Sequence, residues 1–165
     1  MLAHPTRPSG MTTTTFRRTP KALLLDDDTT VLRLLGTALE ARGFEVRAAT
    51  DGEAGTALLV DELLGLDVVL VDAELPGRDA RSLLHLVRWA GGEPELGVVV
   101  LAGTLDDASR DQLLAPGADA VPDRRAGLAA ALEAIAAVAL RAHAPAGRTA
   151  ERARPALRGD LLLAA

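Results

Sequence analysis

Cysteine is absent from the 165 residues, which excludes a disulfide frame, a thiolate zinc site and a cysteine nucleophile. Tyrosine is absent too, and two Phe and one Trp are the only aromatics, so any core must be built from Leu, Val, Ile and Ala. Lys21 is the single lysine. No run of about 18 apolar residues exists to cross a membrane, and the opening MLAHPTRPSG lacks the apolar stretch of a signal peptide. A cytoplasmic location, with no membrane partner, is the default expectation.

The length suits one ordinary domain with a true core and no second domain of typical size. The net charge of −5 hides an uneven distribution. Residues 21–142 carry 11 basic and 21 acidic side chains, whereas residues 1–20 hold three Arg and no acid. An acidic body with weakly basic ends is a poor binder of nucleic acid through its folded part. Residues 1–19, rich in Pro and Thr without an apolar period, read as a disordered leader, and residues 143–165, mixing Arg, Pro and Ala, as a disordered tail. The folded domain is expected over residues 20–142.

Within that span, uninterrupted apolar runs alternate with segments of helical period. Ala22–Leu25, Val68–Val71 and Val98–Leu101 suit parallel strands covered on both faces, and Phe44–Ala48 and Ala118–Val121 suit strands nearer a sheet edge. Helices are predicted at about 30–42, 53–64, 79–90, 106–115 and 126–142, with Gly43, Asp51-Gly52 and Pro116-Gly117 as punctuation. Five β-α units in succession imply an α/β sandwich around a parallel sheet with right-handed crossovers.

In such sheets, chemistry gathers at the carboxyl ends of the strands. Asp26, Asp27 and Asp28 follow the first strand directly, and Asp72 follows the third, leading into Glu74, Leu75, Pro76 and Gly77. If those strands are neighbours, each pair of carboxylates 5 Å apart costs on the order of 3 kcal/mol at an effective dielectric near 20. A cation is then needed, and a few hard oxygen donors with room for water favour Mg²⁺ over zinc or copper. A phosphoryl group facing that ion would have a carboxylate as its in-line nucleophile. Asp28 reads instead as the cap of the following helix. His85, beside Trp89 on a helical face, reads as a partly buried filler, and His4 and His143 fall in the ends of the chain.

Over about residues 20–142 the chain resembles the receiver domains of two-component response regulators. KALLLDDD resembles the first strand with its acid pair, DVVLVDAELPG the strand, phospho-acceptor and Pro-Gly loop, and GADAVPDR the fifth strand and its approach to a basic residue. The resemblance implies a flavodoxin-like (βα)5 sandwich with a parallel five-stranded sheet of order 2-1-3-4-5, an order taken from the resemblance and not worked out from the residues. It implies that Asp26, Asp27, Asp72 and the backbone carbonyl of Glu74 hold Mg²⁺. Asp72 would accept phosphate from a histidine kinase or phosphotransfer protein. It further implies a signalling module and not an enzyme, a downstream protein target, and a homodimer formed through the fourth helix, fifth strand and fifth helix.

The pattern departs from the family at four places. Ala102 stands where the family has a Ser or Thr, with Thr104 two residues on, and an alanine has no hydroxyl to offer a phosphoryl oxygen. Arg124 stands at the lysine position and keeps the charge on a wider fork. Val121 occupies the position of the switching aromatic, and Arg125 that of a following proline. A stand-alone phosphorelay receiver acting by protein contact is the first expectation. A pseudo-receiver scaffold that is not phosphorylated is the alternative. A third reading, a phosphatase similar to the haloacid-dehalogenase type, rests on the Asp-x-Asp-x-Thr spacing of Asp26, Asp28 and Thr30.

Overall fold

The computed structural model describes residues 18–63, 65–77, 80–90, 96–103 and 106–142. The elements follow the predicted alternation: β1 (Lys21–Leu25), α1 (Thr29–Glu40), β2 (Glu45–Ala49), α2 (Gly52–Glu62), β3 (Val68–Asp72), α3 (Ala80–Ala90), β4 (Gly97–Leu101), α4 (Asp107–Leu114), a 3₁₀ turn (Arg124–Ala126) and α5 (Leu128–Ala142). Of the leader read from sequence at residues 1–19, residues 1–17 lie outside the described residues, as do the tail 143–165 and Thr104, while Arg18 and Thr19 are described and Arg18 pairs with Asp67.

β1, β3 and β4 are buried along nearly their whole length, as expected of apolar runs with helices on both faces. β2, carrying Glu45 and Arg47, is the exposed outer strand. All pairings are parallel, in the order β2-β1-β3-β4. The alternation of side chains along the strands divides the core in two. Leu23, Leu25, Val69, Val71, Val98 and Val100 face α2 and α3, while Leu24, Leu70, Val99 and Leu101 face α1 and α5.

The fifth strand, placed by the sequence at Ala118–Val121, is a correction. Ala120 and Asp123 make isolated parallel bridges to Val99 and Ala102, so the segment lies on the free edge of β4 without forming a regular strand. The amide of Ala120 bonds Val98, that of Val100 bonds Ala120, that of Ala102 bonds Pro122, and that of Arg124 bonds Ala102. The bond missing from this ladder is the one from residue 122 to Val100. Pro122 has no N–H to give, so one residue divides a strand into two bridges.

Two part-buried polar knots brace the body. Asp67, ahead of β3, accepts both guanidinium nitrogens of Arg18 (2.7 and 3.0 Å) and the amide of Lys21 (2.7 Å). On the other flank, Arg88 of α3 donates to the carbonyls of Leu96 and Gly117 and to the carboxylate of Asp119, which also takes the amide of Val98. Gly117 has a φ of +116°, and a Cβ there would come within 2.7 Å of Arg88 Nε, so glycine is required on both counts.

Candidate functional site

Parallel pairing of β1 with β3 sets Leu25 beside Val71 and brings the two strand ends to one edge. Asp26 follows β1 and is fully buried; Asp72 is the last residue of β3 and is 5% exposed, and Asp27 faces solvent. Carboxylate oxygens of Asp26, Asp27 and Asp72 all lie within 4.8 Å of one another. The convergence inferred from two strand ends is therefore present.

Every oxygen of the two buried acids has a partner. Asp26 Oδ1 accepts the amide of Asp28 at 2.9 Å, and its Oδ2 accepts Arg124 Nη2 at 2.8 Å. The same Nη2 lies 3.0 Å from Asp72 Oδ2, and Asp72 Oδ1 takes a long bond, 3.4 Å, from the amide of Glu74. Burial pushes the Asp26 carboxyl above the usual carboxylate range. The Asp28 amide and the Arg124 charge oppose that rise, while the charges of Asp72 and Asp27 add to it. For Arg124, burial favours the neutral form, but Asp26 and Asp72 outweigh it and hold the guanidinium above its usual pKa. Three carboxylates against one guanidinium leave the pocket net negative.

That donor set fits a small hard cation. Three carboxylate oxygens within 4.8 Å of one another, one of them on the solvent-facing Asp27, are the hard donors such an ion takes, with room for water. Asp26, Asp27 and Asp72 are the side chains that would hold it. Glu74 is exposed, and its side chain leans toward Gly103.

The remaining candidates separate clearly. Asp28 is the N-cap of α1, its Oδ1 accepting from Thr30 at 2.8 Å and Val31 at 3.3 Å, which commits it to the helix and weakens the phosphatase reading. Ala102 is 1% exposed and shares a core cluster with Val121; it follows Leu101, the partner of Asp72 in the sheet, and carries a methyl and no hydroxyl. His85 is exposed on α3, not the partly buried filler expected, because Leu83, Leu84 and Val87 form the face turned to the sheet. From the sequence, Arg124 is placed only by the resemblance, as the charge at the family's lysine position. Its pair with Asp26, 98 residues away, carries no local signal and follows only from the fold.

A family model described as the response regulator receiver domain matches residues 22–136. The chain belongs to the response-regulator receiver family. Receiver domains are signalling modules of two-component systems. Among curated relatives, this receiver is 33% identical over 103 residues to the transcriptional regulatory protein AruR of Pseudomonas aeruginosa, covering 61% of this chain and 41% of that one. It is 32% identical over 105 residues to the sensor protein GacS of Pseudomonas syringae, covering 62% of this chain and 11% of that one. The chain thus spans less than half the length of these relatives. Among solved structures, a CheY-like receiver domain protein from Methanospirillum hungatei matches with a TM-score of 0.67 and 25% identity, over 76% of this chain and 97% of that one. A response regulator from Burkholderia pseudomallei, solved with a phosphorylated aspartic acid, calcium ion and citrate, matches with a TM-score of 0.59 and 26% identity, over 70% of this chain and 66% of that one. The neighbours bear out the flavodoxin-like receiver fold, with the edge segment Ala120–Asp123 in the fifth sheet position. Among the described residues, no helix is long and apolar enough to cross a membrane.

Proposed function

We propose that this receiver accepts a phosphoryl group on Asp72 from the phosphohistidine of a histidine kinase or phosphotransfer protein, and passes its state on by contact with a downstream protein in the cytoplasm. One observation carries the reading: three carboxylates from two strand ends lie within 4.8 Å of one another, with a guanidinium bridging the two buried ones. The phosphorylated aspartic acid and calcium ion of the Burkholderia relative support it.

In this mechanism an Asp72 carboxylate oxygen attacks phosphorus in line. The P–N bond of the donor breaks, its electron pair returns to the imidazole, which takes up a proton, and an acyl phosphate remains on Asp72. Asp26, Asp27, Asp72 and the carbonyl of Glu74 would hold Mg²⁺, which when bound supplies charge neutralisation to the transferring oxygens. Arg124 pairs with the anionic product through charge-assisted hydrogen bonds. Ala102 contributes no such bond. Labelling of the full chain by phosphoramidate in the presence of Mg²⁺, lost in Asp72→Ala, is the expected result. Equal labelling of Asp72→Ala, or labelling indifferent to chelator, contradicts it.

The missing hydroxyl at Ala102 and the missing aromatic at Val121 favour a second reading, a pseudo-receiver scaffold that binds without phosphorylation. Equal binding of a protein target by Asp72→Glu and Asp72→Ala would decide for it. Pairing of two copies through α4, the edge segment and α5 belongs to either reading. Light scattering on the purified chain measures it.

A further inference from the structure

α2 is seated on the sheet by glycine on its inner side. Gly55 lies so close to Leu25, the residue before Asp26, that a Cβ there would stand 2.7 Å from Leu25 Cδ2. The amide of Gly52 donates to the carbonyl of Pro76 at 2.9 Å, and Asp51 caps the helix by accepting the amides of Glu53 and Ala54. With Leu59 buried as well, the helix is fixed at its start and along its inner side. Whatever its outer face carries is held out in one orientation.

That outer face lacks the polar cover of a solvent-facing helix. α1 turns Thr30, Arg33, Thr37 and Glu40 to solvent around Leu34. α2 turns out two short rows at helical spacing, Glu53, Ala57 and Val60 in one and Ala54, Leu58 and Asp61 in the other, with Leu58 half-buried and the rest exposed. Val60 is 62% exposed, the most open of the large hydrophobic side chains among the described residues. The middle of the face is therefore aliphatic, with an acid at each end.

Those two acids have no counter-charge. Asp51 is engaged by the cap and Glu62 by Arg47 at 3.1 Å, whereas no described cation pairs with Glu53 or Asp61. Glu53 suits the first turn, where the helix dipole favours an acid. Asp61 stands at the other end, where the dipole disfavours one, and the last turn holds no basic residue to offset it. A second copy would not supply the cations. Two α2 helices face to face set Glu53 against Asp61 when antiparallel, and like residue against like when parallel, so acid meets acid either way. Charge complementarity asks instead for basic side chains on both ends of an apolar stretch.

We propose that the outer face of α2 is a docking surface for another protein, taking an amphipathic helix whose aliphatic side chains cover Ala57 and Val60 and whose Lys or Arg side chains pair with Glu53 and Asp61. The two acids are separated by about 12 Å along α2, close to two turns of a helix laid alongside. The inference stands apart from the acid pocket and does not require Asp72 to carry a phosphoryl group.

The test uses the full chain in excess Mg²⁺, titrated with a synthetic amphipathic helical peptide of leucine and lysine and, separately, with its counterpart of leucine and glutamate, while amide NMR spectra are recorded. The lysine peptide is expected to shift the amides of residues 53–61 more than those at the ends of β1 and β3, and the glutamate peptide to leave them in place. Val60→Ser is expected to weaken binding about fivefold or more. Glu53→Gln combined with Asp61→Asn is expected to weaken it too and to reduce its dependence on salt. Absence of binding, shifts centred elsewhere with 53–61 unmoved, equal shifts with both peptides, or full affinity in Val60→Ser overturns the inference. A wild-type dimer in sedimentation that Val60→Ser abolishes also overturns it, because a second copy would then be the occupant. Should a variant fail to fold, the wild-type shift map with the two peptides decides alone.

Discussion

At the scale of single residues, the site is a balance between burial and charge. Asp26 is buried beside two like charges, and its carboxyl is pushed upward despite the help of Arg124 and the Asp28 amide. Asp26→Asn should therefore stabilise the metal-free protein by about 1 kcal/mol while destroying cation binding, a trade of stability for function. Urea unfolding in chelator, compared with a Mg²⁺ titration of the same variant, checks both halves. Arg124→Ala should act in the opposite direction. It leaves Asp26 without its counter-charge, and a loss of about 1–2 kcal/mol is expected, below the value for a fully buried pair because Arg124 is 31% exposed. The acids themselves were legible in the sequence, since helix capping alone does not account for acids at the ends of two separate apolar runs. Asp28 as a cap was equally legible from its place before a helical period. The double engagement of Arg124 was not, because a bond between residues 26 and 124 is a property of strand order and not of spacing.

Among elements, hydrophobic period located four strands and five helices to within a few residues, because buried parallel strands and amphipathic helices leave strong patterns. The fifth strand was the exception. Its apolar run Ala118–Val121 is real, but Pro122 interrupts hydrogen bonding where the ladder would continue. Pro122→Ala should supply the missing donor to the Val100 carbonyl, joining the two bridges. Hydrogen exchange should then show the new amide protected, and a freely exchanging amide there would refute the role given to Pro122. The cap of α2 gives a second check: Asp51 accepts the amides of Glu53 and Ala54 at 2.9 and 2.8 Å. Asp51→Ala should cost about 1 kcal/mol in urea unfolding without touching the acid pocket. Neither polar knot was read from sequence. Asp67 directly before an all-apolar strand was a usable hint of a buried acid needing a partner, but Arg18 lay in a segment without any pattern of its own.

On the scale of the whole molecule, the sheet brings the ends of β1 and β3 together, with helices packed on both of its faces. Because the cluster repels itself, a divalent cation should bind the folded state and not the unfolded chain. At a concentration 100 times its Kd, the ion would then stabilise the fold by about 2.7 kcal/mol. Isothermal titration of the metal-free full chain with Mg²⁺ is the most direct measurement of the central claim. One saturable site in the wild type, abolished separately by Asp26→Asn, Asp27→Asn and Asp72→Asn, is the result predicted. An unchanged isotherm in Asp72→Asn would contradict it, because the two strand ends would then not share an ion.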